Sequence, residues 1–349
     1  MNIENLVRKN ILKLEPYSSA RSKHLNGILL DANENALGSV INDHKGLHLN
    51  RYPDPNHNEV RGKLSGYVNI PKENLFVGVG SDEIIDLIVR MFCNPSVDNC
   101  IINEPTYGMY QVACDINDVQ CKQVMLTGNF QLDVAKISSS IDDNTKIIFI
   151  CSPNNPTANL INKEDILHLA ESTGKIIVVD EAYIDFSSQK SLIYESLNYG
   201  NLIVLRTFSK AWGLAGIRAG YCTASKKIIE ILYKIKAPYN LNSLTSHSII
   251  SAIGGSELKD KFVKEIIKER KRVNNKLIDM KGIEKVFDSE TNYVLFKCND
   301  ASNIYNKLAE RGVIIRDRSN QPLLENCLRV SIGTREQNDS FLQELSEVL

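Results

Sequence analysis

Through the middle of the chain, short runs of branched apolar residues alternate with segments of helical periodicity, and this alternation restricts the fold more than any other feature. The runs lie at 75–79 (LFVGV), 99–103, 146–151 (KIIFIC), 175–179 (KIIVV), 201–205 (NLIVL) and about 217–222. They are apolar almost without a break, as strands covered on both faces must be. Helical patterns separate them, for example at 82–92 (DEIIDLIVRMF) and 163–171. Such a succession predicts an α/β fold with a mostly parallel sheet flanked by helices. After residue 225 the texture changes. A charged amphipathic stretch at roughly 255–280 predicts one long helix with a solvated face. Strands near 292–298 and 327–332 and helices near 302–311 and 335–347 follow it. The expected division is an N-terminal arm at 1–35, a large α/β domain at 36–250 and a smaller α+β domain at 251–349, to which the arm contributes.

The charges nearly cancel, with 41 basic against 42 acidic residues, so no long-range field exists to hold a polyanion and nucleic acid is not expected as a partner. No stretch reaches the eighteen or so consecutive apolar residues of a membrane span, and the start lacks the apolar core of a secretory signal. A soluble, cytoplasmic protein is expected. The eight cysteines contain no C-x-x-C, and several sit inside apolar runs, so they read as small buried hydrophobes. The six histidines show no H-E-x-x-H and no spacing shared with the cysteines, so no metal site is expected.

Four polar clusters each follow a predicted strand, where open α/β sheets gather ligands. GVGSDE at 78–83 joins a strand to a helix, and free N–H groups at a helix start, with Ser81 as a cap, suit a phosphate. It does not complete G-x-G-x-x-G, because Glu83 takes the last place, and no G-x-x-x-x-G-K-[ST] occurs. SPNNPT at 152–157 is a rigid turn that fixes the Asn155 amide, or an ordinary Asn-Pro turn and nothing more. VVDEAY at 178–183 puts Asp180 at the end of an apolar strand, where a carboxylate wants a cation such as a metal or a protonated ring nitrogen. Tyr183 offers a phenol near the same mouth. TFSKAWGLAGIRAG at 207–220 sets Lys210 among small and apolar residues, between the hydroxyls of Thr207 and Ser209 and ahead of Arg218. An amine so placed has a lowered pKa and suits Schiff-base chemistry, while the hydroxyls and the Arg218 fork suit a phosphate.

Taken in order, these clusters resemble the fold-type I pyridoxal-phosphate-dependent aminotransferases, and within them the histidinol-phosphate aminotransferase family. The likeness runs nearly end to end and includes PYSSAR (16–21), DANENALG (31–38), RYPDP (51–55), EPTYGMY (104–110) and IIRDRSNQPLLENCLRVSIGT (314–334). The resemblance implies pyridoxal 5'-phosphate as cofactor, joined to Lys210, which also moves the proton in the 1,3-shift. It implies Asp180 on the ring nitrogen, Asn155 and Tyr183 on the phenolic oxygen, and Tyr107 against the ring face. Ser81, Asp82, Thr207, Ser209 and Arg218 form the phosphate cup. Tyr52 reaches the cofactor phosphate of a neighbouring subunit, which implies a homodimer. Arg329 receives the amino-acid carboxylate, and Tyr17 and Arg316 stand at the end that holds the phosphate of histidinol phosphate. The implied reaction passes the amino group between histidinol phosphate and 2-oxoglutarate in histidine biosynthesis. Aromatic-amino-acid aminotransferases and threonine-phosphate decarboxylases share the scaffold. The chain departs from the family pattern at Ala158, usually Gly, and at Trp212, more often Phe.

Overall fold

The computed structural model describes residues 2–15, 39–40 and 46–349. Seven strands, β1 (Leu75–Gly78), β2 (Asn99–Glu104), β3 (Gln120–Met125), β4 (Thr145–Cys151), β5 (Ile176–Asp180), β6 (Leu202–Thr207) and β7 (Gly220–Thr223), form one sheet in the order β1-β7-β6-β5-β4-β2-β3. Within it β7 runs antiparallel to both its neighbours, and the other pairings are parallel. Side chains alternate between two apolar cores. Leu75, Val77, Ile148, Ile150, Ile177, Val179 and Val204 enter one, and Phe76, Ile147, Phe149, Ile176, Val178, Ile203 and Leu205 the other. That is why these strands read as unbroken apolar runs.

Strand β3 has no such run. It is the edge strand, and of its residues Val124 alone is fully buried, so QCKQVM carries little apolar signal.

A second, antiparallel sheet holds β8 (Ile283–Val286), β9 (Tyr293–Cys298), β10 (Arg316–Asp317) and β11 (Cys327–Ser331), in the order β10-β11-β9-β8. One face of it, with Val294, Phe296, Leu328 and Val330, packs on the long helix Ser256–Ile278 and the final helix Arg335–Val348 through Val273, Leu277, Phe341 and Leu345. The other face carries Leu295 and Cys327 into the core of the large sheet. Arg329 alternates with Leu328 and Val330 and so also faces the large sheet. The helix Ser243–Gly254 runs unbroken through residues 250 and 251, and the long helix Ser256–Ile278 follows it after Gly255.

The start of the arm packs on the large unit rather than on the small one. Ile3 and Val7 are buried among Met91 and Phe92, and the Arg8 backbone N–H donates to the Met91 carbonyl at 3.1 Å. Apolar side chains in an otherwise charged segment take the core within reach. Among the described residues no helix is long and apolar enough to cross a membrane. All eight cysteines are free thiols and seven are buried.

Candidate active site

Parallel strands bring all their carboxyl ends to one edge, and β7, being antiparallel, begins there. Gly220 at its start lies opposite both Gly78 of β1 and Thr207 of β6. The order of strands also reverses at β2, with β3 on one side of it and β4 on the other, so the loops leaving β2 and β4 diverge and open a crevice. The crevice is a cavity enclosing about 550 Å³ of empty space, part of it open to solvent. Ser81, Asp82, Tyr107, Asn155, Asp180, Tyr183, Thr207, Ser209, Lys210 and Arg218 all line it. The connections that follow β1, β2, β4, β5 and β6 thus converge on one pocket, and the four polar clusters singled out in the sequence all reach it.

At one end the helix Gly80–Phe92 opens with Gly80 at φ +76°, a conformation that suits glycine. A Cβ there would sit 2.8 Å from the Arg218 Nη2, and one on Gly220 would sit 2.7 Å from the Gly80 carbonyl carbon and the Ser81 nitrogen. The two glycines therefore let the guanidinium and the helix start close to a small anion-sized gap. Arg218 meets Asp82 at 3.2 Å, and the Tyr107 hydroxyl donates to the other oxygen of Asp82 at 3.1 Å. The Ser209 backbone N–H donates to Thr207 Oγ1 at 3.0 Å, which holds that hydroxyl at the rim. Because the atoms a Gly220 methyl would strike are backbone, Gly220→Ala forces the start of the helix Gly80–Phe92 away from β7. Overpacking of this kind costs about 1–3 kcal/mol, and an equilibrium titration is expected to show an anionic ligand of the cradle bound about 10- to 100-fold more weakly.

At the other end Asp180 is 3% exposed. Its oxygens accept from the Ala182 backbone N–H and the Tyr110 hydroxyl, each at 3.0 Å, and no cation lies within ion-pair distance among the described residues. Burial pushes its carboxyl up to about 6. Lys210 opens onto the cavity, its Nζ 5.4 Å from the centre of the Tyr183 ring. Its pKa is lowered, first by desolvation and then by the charge of Arg329, while Asp180 acts in the opposite direction. A carboxylate short of a cation and an amine eased towards its neutral form thus share one small pocket.

The small sheet supplies the mouth. Arg329 reaches across to donate to the Asn155 side-chain oxygen at 2.5 Å, and its guanidinium carbon lies 4.9 Å over the Tyr293 ring. The Tyr293 hydroxyl donates to the Asn154 carbonyl at 2.7 Å, and its ring meets Tyr183 edge-on at 5.3 Å. Arg316 pairs across the sheet with Arg329 but is exposed and does not line the cavity. Tyr52 stands apart as well, half-exposed with its ring stacked on Tyr239 at 4.5 Å. Tyr17 lies outside the described residues. Ala158 adopts φ +69° in the interior, so the turn keeps the left-handed conformation that a glycine takes readily.

The residues missed from sequence are Tyr110, which holds Asp180, and Tyr293, which shapes the mouth. Both look like core aromatics in the chain, and a fully buried tyrosine needing a hydrogen-bond partner is the one signal they offered.

The model of the family "aminotransferase class I and II" matches residues 26–345. The chain belongs to that family. A histidinol-phosphate aminotransferase of Flavobacterium psychrophilum is 45% identical to this class I and II aminotransferase over 99% of this chain and 98% of its own. Among solved structures, the histidinol-phosphate aminotransferase of Clostridium acetobutylicum superposes with a TM-score of 0.79 at 29% identity, covering 86% of this chain and 91% of that one. The Sinorhizobium meliloti histidinol-phosphate aminotransferase, in complex with pyridoxal-5'-phosphate, gives a TM-score of 0.79 at 22% identity, over 91% of this chain and 89% of that one. It shares the fold.

Proposed function

We propose that this aminotransferase passes the amino group between L-histidinol phosphate and 2-oxoglutarate, giving imidazole-acetol phosphate and L-glutamate, with pyridoxal 5'-phosphate as cofactor. The reading rests on one arrangement: the cation-poor carboxylate of Asp180 and the amine of Lys210 in the same pocket, with a glycine-lined anion cradle at its end. A flat, phosphorylated pyridine aldehyde fits that donor set at every point. When bound, it supplies a carbonyl carbon for amines and a ring that withdraws electrons.

The chain's residues do the rest. The N–H groups of Ser81 and Asp82, the hydroxyls of Thr207 and Ser209 and the Arg218 fork hold the phosphate. Asp180 keeps the ring nitrogen protonated. Asn155, its oxygen engaged by Arg329, would present its amide N–H₂ with the Tyr183 hydroxyl to the cofactor's phenolic oxygen, and Tyr107 would pack on its ring. Lys210, its amine eased towards the neutral form, would anchor the cofactor and serve as the base that moves the proton at the substrate carbon. Arg329 meets the substrate anion, with Arg316 its partner across the small sheet.

The exposed flank that carries Tyr52 serves a second copy of the chain, whose cofactor phosphate this tyrosine reaches. The active unit is then a homodimer, working in the cytoplasm.

The deciding experiment offers histidinol phosphate, phenylalanine and threonine phosphate in parallel, with 2-oxoglutarate as acceptor. The expected outcome is a clear preference in kcat/KM for histidinol phosphate. Preference for phenylalanine, or release of carbon dioxide from threonine phosphate without amino transfer, overturns the assignment.

A further inference from the structure

Lys259 does not line the pocket, yet it touches two of the loops that do. It stands in the first turn of the long helix Ser256–Ile278, whose later turns pack under the small sheet. The residue is 9% exposed, and a lysine is almost never buried that far unless its charge is met. Its three donors all have acceptors: Asp260 at 2.8 Å, the Tyr67 hydroxyl at 3.1 Å and Asp185 at 3.3 Å. Burial works against the charge, but Asp185, Asp260 and Tyr67 outweigh it and raise the pKa, so the ammonium persists.

A fourth partner is aromatic. The ammonium lies 5.3 Å from the centre of the ring of Trp212, the one tryptophan in the chain. Tyr67 meets that indole edge-on at 5.2 Å, and Phe208 lies tilted against it at 5.3 Å. Trp212 belongs to the turn that carries Lys210. In that turn the Gly213 N–H donates to the Lys210 carbonyl and the Leu214 N–H to the Phe208 carbonyl, both at 3.1 Å. The turn is closed on itself, so a displaced indole displaces the backbone of Lys210.

The long helix has further anchors on the same side, since positions 259, 263 and 270 share one helix face. Val263 joins the buried cluster of Ala158, Tyr183, Ala211 and Tyr293. Arg270 donates to the carbonyls of Phe186 at 3.2 Å and Thr291 at 2.6 Å. Docking of the helix therefore does not depend on Lys259. Asp185 does not depend on it either, because it also pairs with Arg206 at 2.9 Å. What the ammonium alone supplies is a directed contact to the indole, two residues from Lys210.

We infer that Lys259 is a positioning residue: through Trp212 it fixes the turn that aims the Lys210 amine into the pocket. The inference rests on the amino-transfer reading above, in which that amine moves the proton. Such a step is sensitive to placement, and a displacement of about 1 Å costs on the order of 10²-fold in rate. The substrate anion meets Arg329 on the small sheet, which Val263 and Arg270 keep docked. Lys259 thus acts on the rate of the chemical step and hardly on binding.

The test compares wild type with Lys259→Met, Lys259→Arg and Lys264→Met. Methionine keeps the apolar stem and removes the charge, arginine keeps the charge, and Lys264 is an exposed residue of the same helix. Two readouts are taken: acrylamide quenching of Trp212 emission in the cofactor-free chain, and kcat and KM for amino transfer in the cofactor-loaded enzyme. In Lys259→Met quenching should rise, and kcat should fall about 10- to 100-fold with KM within about threefold of wild type. Lys259→Arg should recover most of both, since a guanidinium stacks on an indole and pairs with a carboxylate. Lys264→Met should match wild type.

The role is overturned if Lys259→Met leaves quenching unchanged or kcat within about twofold, if arginine recovers neither, or if Lys264→Met changes both as much. A fall in kcat that only follows loss of the visible band of bound cofactor shows a structural role and overturns it too. A loaded wild type that transfers no amino group defeats the underlying reading, and this inference with it, even where quenching rises as expected.

Discussion

Lys210→Ala is expected to leave a folded chain that transfers amino groups at least about 10⁴-fold more slowly than wild type and shows no visible absorption band when supplied with pyridoxal phosphate. Among the described residues no other lysine lines the cavity to replace the amine that both anchors the cofactor and carries the proton. The fold has little at stake. Lys210 faces the cavity from a loop and is within 5.4 Å of the Tyr183 ring centre, and a cation over a ring contributes about 0.5–1 kcal/mol at an exposed site. Stability should therefore change by no more than about 1 kcal/mol, with the melting temperature as the readout. A variant that keeps more than about a hundredth of the wild-type turnover removes Lys210 from the mechanism.

The legible parts of this chain were those in which one residue's environment follows from its neighbours in sequence. β4, β5 and β6 announce themselves because a strand buried on both faces must be apolar throughout. The long helix Ser256–Ile278 shows its solvated face in its charges. Asp180, Lys210 and Asn155 were visible because each is a polar residue closing an apolar strand or turn, at the edge where the sheet collects ligands. What escaped depends on contacts between distant segments. β10 is two residues long and exists only because β11 lies beside it. Tyr110 sits in the helix Met109–Ile116 and is stacked on Phe149 at 5.0 Å, so it passes for core; only the approach of that helix to β5 gives its hydroxyl to Asp180. Lys259 reads as surface charge in a helix rich in charged residues, and its buried contact with Trp212 is a property of the assembled fold.

Asp180→Asn is expected to do opposite things to stability and to catalysis. Burial raises the carboxyl to about 6 from an ordinary value of 3.8, so the folded chain holds the proton more tightly than the unfolded chain does. Stability of the cofactor-free protein therefore falls as pH rises from about 4 to about 6, and stays lowered above that. The loss approaches about 3 kcal/mol at pH 8, the cost of keeping the carboxylate ionised without a cation. An asparagine has nearly the same shape. Its oxygen still accepts from the Ala182 N–H, and its amide can donate to a rotated Tyr110 hydroxyl, so the substitution removes the charge and little else. Without cofactor the variant should match wild type at pH 4 and exceed it at pH 8, by up to about 3 kcal/mol in denaturant melts. Glu181, pushed up to about 7 by its own burial, titrates in both proteins and drops out of the difference. With cofactor the order reverses. The ring nitrogen supplies the missing cation in wild type alone, and breaking a buried charge pair costs about 3–5 kcal/mol, which lowers kcat/KM for amino transfer about 10²–10⁴-fold. A variant less stable than wild type at pH 8 without cofactor contradicts the isolated-charge argument; one that transfers amino groups at the wild-type rate contradicts the role of Asp180. The same carboxylate thus makes the empty pocket unstable and the filled one reactive, the balance expected where a binding site withholds a charge for its ligand to complete.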